Sequence, residues 1–274
     1  MGFEGRVAFV TGASRGVGRC LALALARAGA DVVVAAKTVE PNPRLPGTIH
    51  TTAAEVVALG RRALAVQVDV RDERAVAAAV GAALDRFGRI DFLVNNAGAL
   101  FWQPVADTPM GRLDRVMAVN FRGAFACTRE VLPAMIAQRW GHILMMSPPL
   151  DPAAAAGKVA YAASKFGMTL IAHGLAGEVA EHNVACNALW PATLIESYAT
   201  INFALGDAKV WRKPEILADA APAIFAKEPA SFTGRALIDE EFLRGEGVTD
   251  FARYRCDPEH EPPHVGFDFT FKAG

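Results

Sequence analysis

The stretch Arg6-Val7-Ala8-Phe9-Val10-Thr11-Gly12-Ala13-Ser14-Arg15-Gly16-Val17-Gly18 decides the fold. Residues 6–11 are mostly apolar and β-branched, as in a buried strand, and the Ala/Leu-rich run over residues 16–28 has a helical period. The glycines between them let the backbone turn tightly and approach a pyrophosphate, whose charge the free N–H groups and positive dipole end of the helix stabilise. A glycine-rich turn alone says little. Set between the first strand and the first helix, it predicts a dinucleotide site formed by Gly12, Ala13, Ser14, Arg15, Gly16, Val17 and Gly18.

Outward from this unit the alternation repeats. Further strands are expected over residues 31–36, 63–69, 91–95, 142–147, 184–190 and 236–239, and helices over 51–59 and 72–87. Asp107-Thr108-Pro109 supplies a cap and a first-turn proline for a long helix reaching residue 138. Another long helix carries Tyr161, and a helical region runs to residue 226 with a kink or break expected at Pro222. Apolar strands separated by helices imply right-handed crossovers, and so one doubly wound α/β domain: a seven-stranded parallel sheet with helices on both faces. Residues 1–240 are expected to form its dinucleotide-binding and catalytic part. Residues 241–274 are a Pro/aromatic extension with Phe251, Tyr254, Phe267, Phe269 and Phe271, expected to pack across the domain or a neighbouring subunit. The proline-rich residues 39–50 predict a loop beside the second strand, close to the cofactor.

The 274 residues are 52% hydrophobic, enough for one large domain, and 28 basic residues against 29 acidic ones leave a net charge of −1. That balance argues against nucleic acid or an acidic membrane as partner and makes a small molecule the default. Cys20, Cys127, Cys186 and Cys256 are far apart and form no C-x-x-C, which fits reduced thiols in a cytoplasmic compartment. No apolar run is long enough to span a bilayer, and residues 1–6 lack a signal-peptide pattern.

An NAD site usually ends its second strand with an acid that grips the ribose 2′-hydroxyl, yet Ala36 stands there. Lys37 and Arg15 are instead placed to pair with a 2′-phosphate, which favours NADP(H) over NAD(H). Tyr161 and Lys165 are four residues apart, so one turn of helix brings a phenol and an ammonium onto one face. A phenol titrates near ~10, and a neighbouring cation is expected to lower that value toward use as a proton donor or acceptor. The other tyrosines lack the arrangement, because Asn202 and Pro258 lie four residues beyond Tyr198 and Tyr254.

Thr11-Gly12-x-x-x-Gly16-x-Gly18, Asn95-Asn96-Ala97-Gly98, Asn120 and Tyr161-x-x-x-Lys165 together resemble the short-chain dehydrogenase/reductase family, in order and spacing across almost the whole chain. The resemblance implies a Rossmann-like domain in which Asp69 and Val70 flank the adenine, Asn96, Ala97 and Gly98 line the cofactor ribose, and Pro191 caps the nicotinamide pocket. It implies Tyr161 as proton donor or acceptor, Lys165 as ribose holder, and Asn120 as a residue that kinks its helix and anchors a relay water. It also implies a homodimer or homotetramer built on the helices near residues 110–138 and 155–180. One departure stands out. Thirteen residues before the tyrosine, where the family places a catalytic serine, this chain has Pro148. Ser147 is adjacent, and reaches the site only if the strand end is bulged or turning, because side chains alternate faces along a strand.

Ser147-Pro148-Pro149-Leu150, Asn187-Ala188-Leu189-Trp190-Pro191 and Ser231-Phe232-Thr233-Gly234 are similar to the hydroxysteroid-dehydrogenase-like subgroup, which includes bacterial citronellol/citronellal-type dehydrogenases. Its animal members are associated with fatty-acid and sterol metabolism and carry an added sterol-carrier domain, to which no part of these 274 residues corresponds. The implied activity is NADP(H)-dependent interconversion of an apolar alcohol and its aldehyde or ketone, in lipid or terpenoid metabolism. Pro148 keeps a second reading open, an NADP-binding sensor or scaffold with vestigial activity. Phe101, Trp102 and Trp190 are expected to border an apolar substrate pocket. No metal is expected: His260-Glu261-Pro262-Pro263-His264 spells a zinc motif, but its prolines forbid the helix that motif needs. His142, His173 and His182 read as ordinary hydrogen-bonded or surface residues.

Overall fold

Alternate residues of the first strand serve opposite cores. Ala8 and Val10 pack with Leu21 and Leu25 of the first helix, whereas Val7 and Phe9 pack with Val76, Val80 and Met135 on the other face. Val32 and Val34 against Val33 and Ala35 repeat this division one strand over. A strand buried on both faces must be apolar throughout, which is why these segments read as continuous apolar runs.

The structure, a computed structural model, describes residues 2–43, 45–151, 155–265 and 271–272. Along the chain the elements are β1 (Val7–Thr11), α1 (Gly16–Arg27), β2 (Asp31–Ala36), α2 (Ile49–Ala58), β3 (Ala63–Gln67), α3 (Glu73–Phe87), β4 (Phe92–Asn95), α4 (Met110–Val116), α5 (Gly123–Gln138), β5 (Gly141–Met146), α6 (Val159–Glu178), β6 (Val184–Trp190), β7 (Leu194–Ile195), α7 (Tyr198–Asn202), β8 (Trp211–Arg212), α8 (Glu215–Phe225), β9 (Ala236–Ile238) and α9 (Asp239–Gly245). The expected seven-stranded sheet is present in the order β3-β2-β1-β4-β5-β6-β9, and every pairing in it is parallel. The order reverses between β1 and β4, and the crevice at their carboxyl ends is where such sheets bind ligands.

Several expectations change. The long helix is divided: a π-helical segment, Met117–Arg122, separates α4 from α5. Asp107 ends a short 3₁₀ turn and Pro109, rather than a polar side chain, sits at the cap of α4. α8 runs on through Pro222 to Phe225 instead of breaking there; the proline removes only one amide donor, and Ala226 N–H still bonds the Pro222 carbonyl. The stretch after β6, expected as helix, first makes β7, α7 and β8 before α8 begins. In the Pro-rich loop Thr48 caps α2 by a reciprocal bond with Thr51, and Ile49 N–H reaches the Thr38 carbonyl, closing the loop at its base. In the carboxy-terminal segment Tyr254 is buried and Arg255 bridges Arg212, while Phe267 and Phe269 lie outside the described residues.

Candidate active site

The glycine loop is shaped by left-handed backbone at two glycines and by a close backbone approach at the third. Gly12 has φ 66° and Gly16 φ 53°, and a Cβ on Gly18 would collide with the Gly12 carbonyl. Arg15 at the head of α1 makes no side-chain cap, and the first turn carries no acid, so nothing negative competes for the helix end. Asn96, expected at the ribose, directs its Nδ2 2.9 Å to the Thr11 carbonyl, while Thr11 Oγ1 accepts from the N–H groups of Asn96 and Ala97 at 3.0 Å. The Asn-rich turn after β4 is thereby latched to the glycine loop, and both line one cavity of about 630 Å³, within the range for small-molecule sites.

Tyr161 and Lys165 lie on α6 at the floor of that cavity, both buried. Lys165 Nζ donates to the Met146 carbonyl at 2.8 Å and stands 5.5 Å from the Trp190 ring centroid. Asn120 sits inside the π-helical segment, fully buried; its Oδ1 accepts from Ala99 N–H at 2.7 Å and its Nδ2 donates to the Ala99 carbonyl and to Ser164 Oγ, both at 2.9 Å. Ser164 Oγ in turn donates to the Tyr161 carbonyl at 2.7 Å. Ser164 was invisible in the sequence as a site residue, yet it ties the asparagine to the turn carrying the phenol. Burial raises the Tyr161 phenol above its ordinary value and lowers Lys165 to about 8. The cation-lowered phenol expected from the sequence is therefore not found, because desolvation favours the neutral form of both groups.

Ser147 needs correction too. The strand end does turn, with Ser147 N–H bonding the Met145 carbonyl at 2.9 Å, but its hydroxyl is paired with Thr169 Oγ1 at 2.9 Å. Neither Ser147 nor Pro148 lines the cavity, and Thr169 also donates to the Pro148 carbonyl. The turn points the serine into α6, one helical turn below Lys165.

At the nucleotide end Lys37 is exposed, its Nζ 4.0 Å from Asp69 Oδ2, and Asp69 is also held by Arg71 at 2.6 Å, which keeps its carboxyl below the usual range. Arg71 lines the cavity but was not singled out from the sequence. Arg15 is committed elsewhere than expected. Its Nε and one terminal nitrogen donate to the carbonyls of Pro46 and Gly47 at 3.1 and 2.8 Å, clamping the Pro-rich loop onto the glycine turn. Val70, Ala97, Gly98 and Pro191 also line the cavity, whereas Ala13 is buried beneath it.

The far wall is rich in large rings and apolar side chains, with Arg112 and Arg115 also lining the cavity: Phe101, Trp102, Trp190, Tyr198, Phe203 and Leu205. Trp102 meets Tyr161 edge-on with centroids 6.0 Å apart. The last three come from α7 and the turn after it, where Ser197 and Thr200 form a capping box. That Ser-x-x-Thr signal was readable in the sequence. No helix among the described residues is long and apolar enough to cross a membrane, and His260 and His264 pair with different carboxylates, Asp257 and Glu240.

The chain belongs to the short-chain dehydrogenase family, whose sequence model matches residues 6–200. It is 46% identical over 257 residues to hydroxysteroid dehydrogenase-like protein 2 of Danio rerio, covering 92% of this chain and 61% of that protein. The chain thus spans about three fifths of the length of such curated relatives. A solved dehydrogenase from Xanthomonas campestris superposes with TM-score 0.92 at 45% identity, covering 96% of this chain and 97% of that one. A metagenomic short-chain oxidoreductase in complex with NADP gives 0.71 at 31%, covering 86% and 97%. An NAD+-bound xylitol dehydrogenase gives 0.76 at 25%, covering 86% and 98%. These findings place the chain in a family of oxidoreductases that use a nicotinamide cofactor.

Proposed function

We propose that this protein is an NADP(H)-dependent oxidoreductase that interconverts an apolar alcohol and its aldehyde or ketone. The observation that carries the reading is a buried Tyr161 beside Lys165 at the floor of a cavity whose other end is the glycine loop. A nicotinamide bound there would give or take the hydride. Gly12, Ser14, Arg15, Gly16, Val17 and Gly18 would hold the pyrophosphate, Asp69 and Val70 the adenine, Ala97, Gly98 and Lys165 the ribose, and Pro191 the nicotinamide edge.

Tyr161 transfers the proton to or from the substrate oxygen. Its raised pKa keeps the phenol protonated, the form that donates in carbonyl reduction. Lys165 is fixed by the Met146 carbonyl, and Asn120 with Ser164 holds the turn between it and Tyr161. NADP(H) is favoured by Lys37 and Arg71 near the 2′ position and by the apolar Ala36, although Asp69 offsets part of that charge. The aromatic wall suits an apolar substrate, of the lipid or terpenoid kind. We further propose that residues 241–265 extend the same domain, that exposed Phe125 on α5 and Leu170 on α6 contribute to a homodimer or homotetramer, and that the free cysteines reflect a cytoplasmic setting.

The orientation of Ser147 toward Thr169 favours a second reading, cofactor binding without turnover. Titration of the purified chain with NADPH and NADH, followed by NADPH oxidation with medium-chain aldehydes and ketones, separates the two. Turnover of an apolar carbonyl is the expected result; tight NADPH binding with no oxidation on any of them would reject the enzyme reading in favour of a sensor.

A further inference from the structure

Two consecutive residues after β9 hold the two ends of the excursion that walls the cavity. Asp239 Oδ1 accepts the N–H of Ala192 at 2.8 Å, between the cavity residues Pro191 and Thr193. Glu240 pairs with the guanidinium of Arg212, the last residue of β8, and Arg212 also meets Glu261 at 2.7 Å. Between Ala192 and Arg212 run β7 and α7 with Tyr198, Phe203 and Leu205. Asp239 and Arg212 are each 1% exposed, and Asp239 Oδ2 and Arg212 Nε have no hydrogen-bond partner among the described residues. The remaining charges of the cluster are Arg244 and His264, on Glu240 at 2.6 and 3.1 Å, and Arg255 on Glu261.

A buried ion pair adds little net stability compared with apolar packing of the same volume, because desolvation offsets its attraction. What it does fix is geometry. Among the described residues β7 and β8 pair with each other and not with the main sheet, while β8 also bridges Arg255 and its Trp211 carbonyl accepts the Cys256 N–H, so the excursion is tied to the main sheet where it leaves β6 and, through Glu240, where Arg212 is gripped. We propose that Asp239 and Glu240 are paired positioning residues that pin both ends of the 192–212 excursion and so set how tightly the apolar part of the substrate is held. The substrate clause rests on the carbonyl-oxidoreductase reading; the anchoring itself does not.

Hydrogen exchange of the full chain tests the anchoring without any substrate. Asp239→Ala should lower amide protection over residues 192–200, and Glu240→Gln over residues 205–212, by about tenfold or more, as loss of a buried charge-assisted bond implies, with β1 and β4 unchanged. Asp239→Asn should restore most of the protection, since its amide oxygen can accept the same N–H groups. With decanal and NADPH, Glu240→Gln should raise KM about fivefold or more while kcat stays within about twofold. Unchanged protection in both Asp239→Ala and Glu240→Gln, or a loss spread equally over β1 and β4, would overturn the proposal. Should Asp239→Ala not fold, Glu240→Gln alone decides by the same criterion. An absence of turnover in every form, with the exchange pattern as expected, would count against the proposed reaction and leave the anchor standing.

Discussion

Lys165 Nζ donates a 2.8 Å hydrogen bond to the carbonyl oxygen of Met146, the last residue of β5. The bond ties the helix that carries the phenol to the strand that leads into Ser147 and Pro148. One turn further along α6, Thr169 binds Ser147 and Pro148 as well. Two successive turns of one helix therefore fix the segment that usually carries the family's catalytic serine, and they fix it facing away from the cavity.

Ser147→Ala should consequently have little effect on catalysis. Its hydroxyl serves Thr169, so kcat/KM should stay within about threefold of wild type while stability falls by about 1 kcal/mol. Steady-state kinetics and urea unfolding check both. A loss of about a hundredfold, the size expected for removing an oxyanion donor, would show that the hydroxyl turns into the site.

Lys37 is the cation most available for a 2′-phosphate, since Arg15 is clamped to Pro46 and Gly47 and Arg71 is shared with Asp69. Lys37→Glu should weaken NADPH binding by about tenfold to a hundredfold and leave NADH within about threefold, from loss of one charge-assisted contact and gain of a repulsive one. Fluorescence titration with both nucleotides reads this directly. Equal weakening of the two would contradict a 2′-phosphate site at Lys37.

Burial lowers Lys165 from 10.5 to about 8. The unfolded chain therefore holds more protons between those values, and stability should rise with pH across that window, with the full penalty present below it. The penalty is on the order of 3 kcal/mol. Lys165→Met removes the titrating group, so urea unfolding should find the variant more stable than wild type at neutral pH and the difference shrinking as pH rises. A constant difference between the two across that range would contradict a buried ammonium.

The sheet was legible because buried parallel strands are apolar throughout: Val32-Val33-Val34 reads directly, and the β2 and β6 boundaries fall where expected. The glycine turn and the Tyr161/Lys165 pair were legible because each depends on spacing within one element. What escaped depends on contacts between distant segments. Arg15 reads as a phosphate ligand because the carbonyls that hold it belong to residues more than thirty positions away. The phenol reads as cation-lowered because spacing reports its cation but not its burial. Residues 192–212 read as helix because their short strands draw their order from Arg212, Glu240 and the carboxy-terminal segment rather than from local periodicity.

The most direct test of proton transfer from Tyr161 is rapid mixing of NADPH-loaded protein with a medium-chain aldehyde, following NADPH absorbance in wild type and Tyr161→Phe. The account predicts that the variant binds NADPH within about threefold of wild type and transfers hydride at least about a hundredfold more slowly, the effect of losing a positioned general acid. Oxidation of NADPH by Tyr161→Phe at the wild-type rate would contradict it.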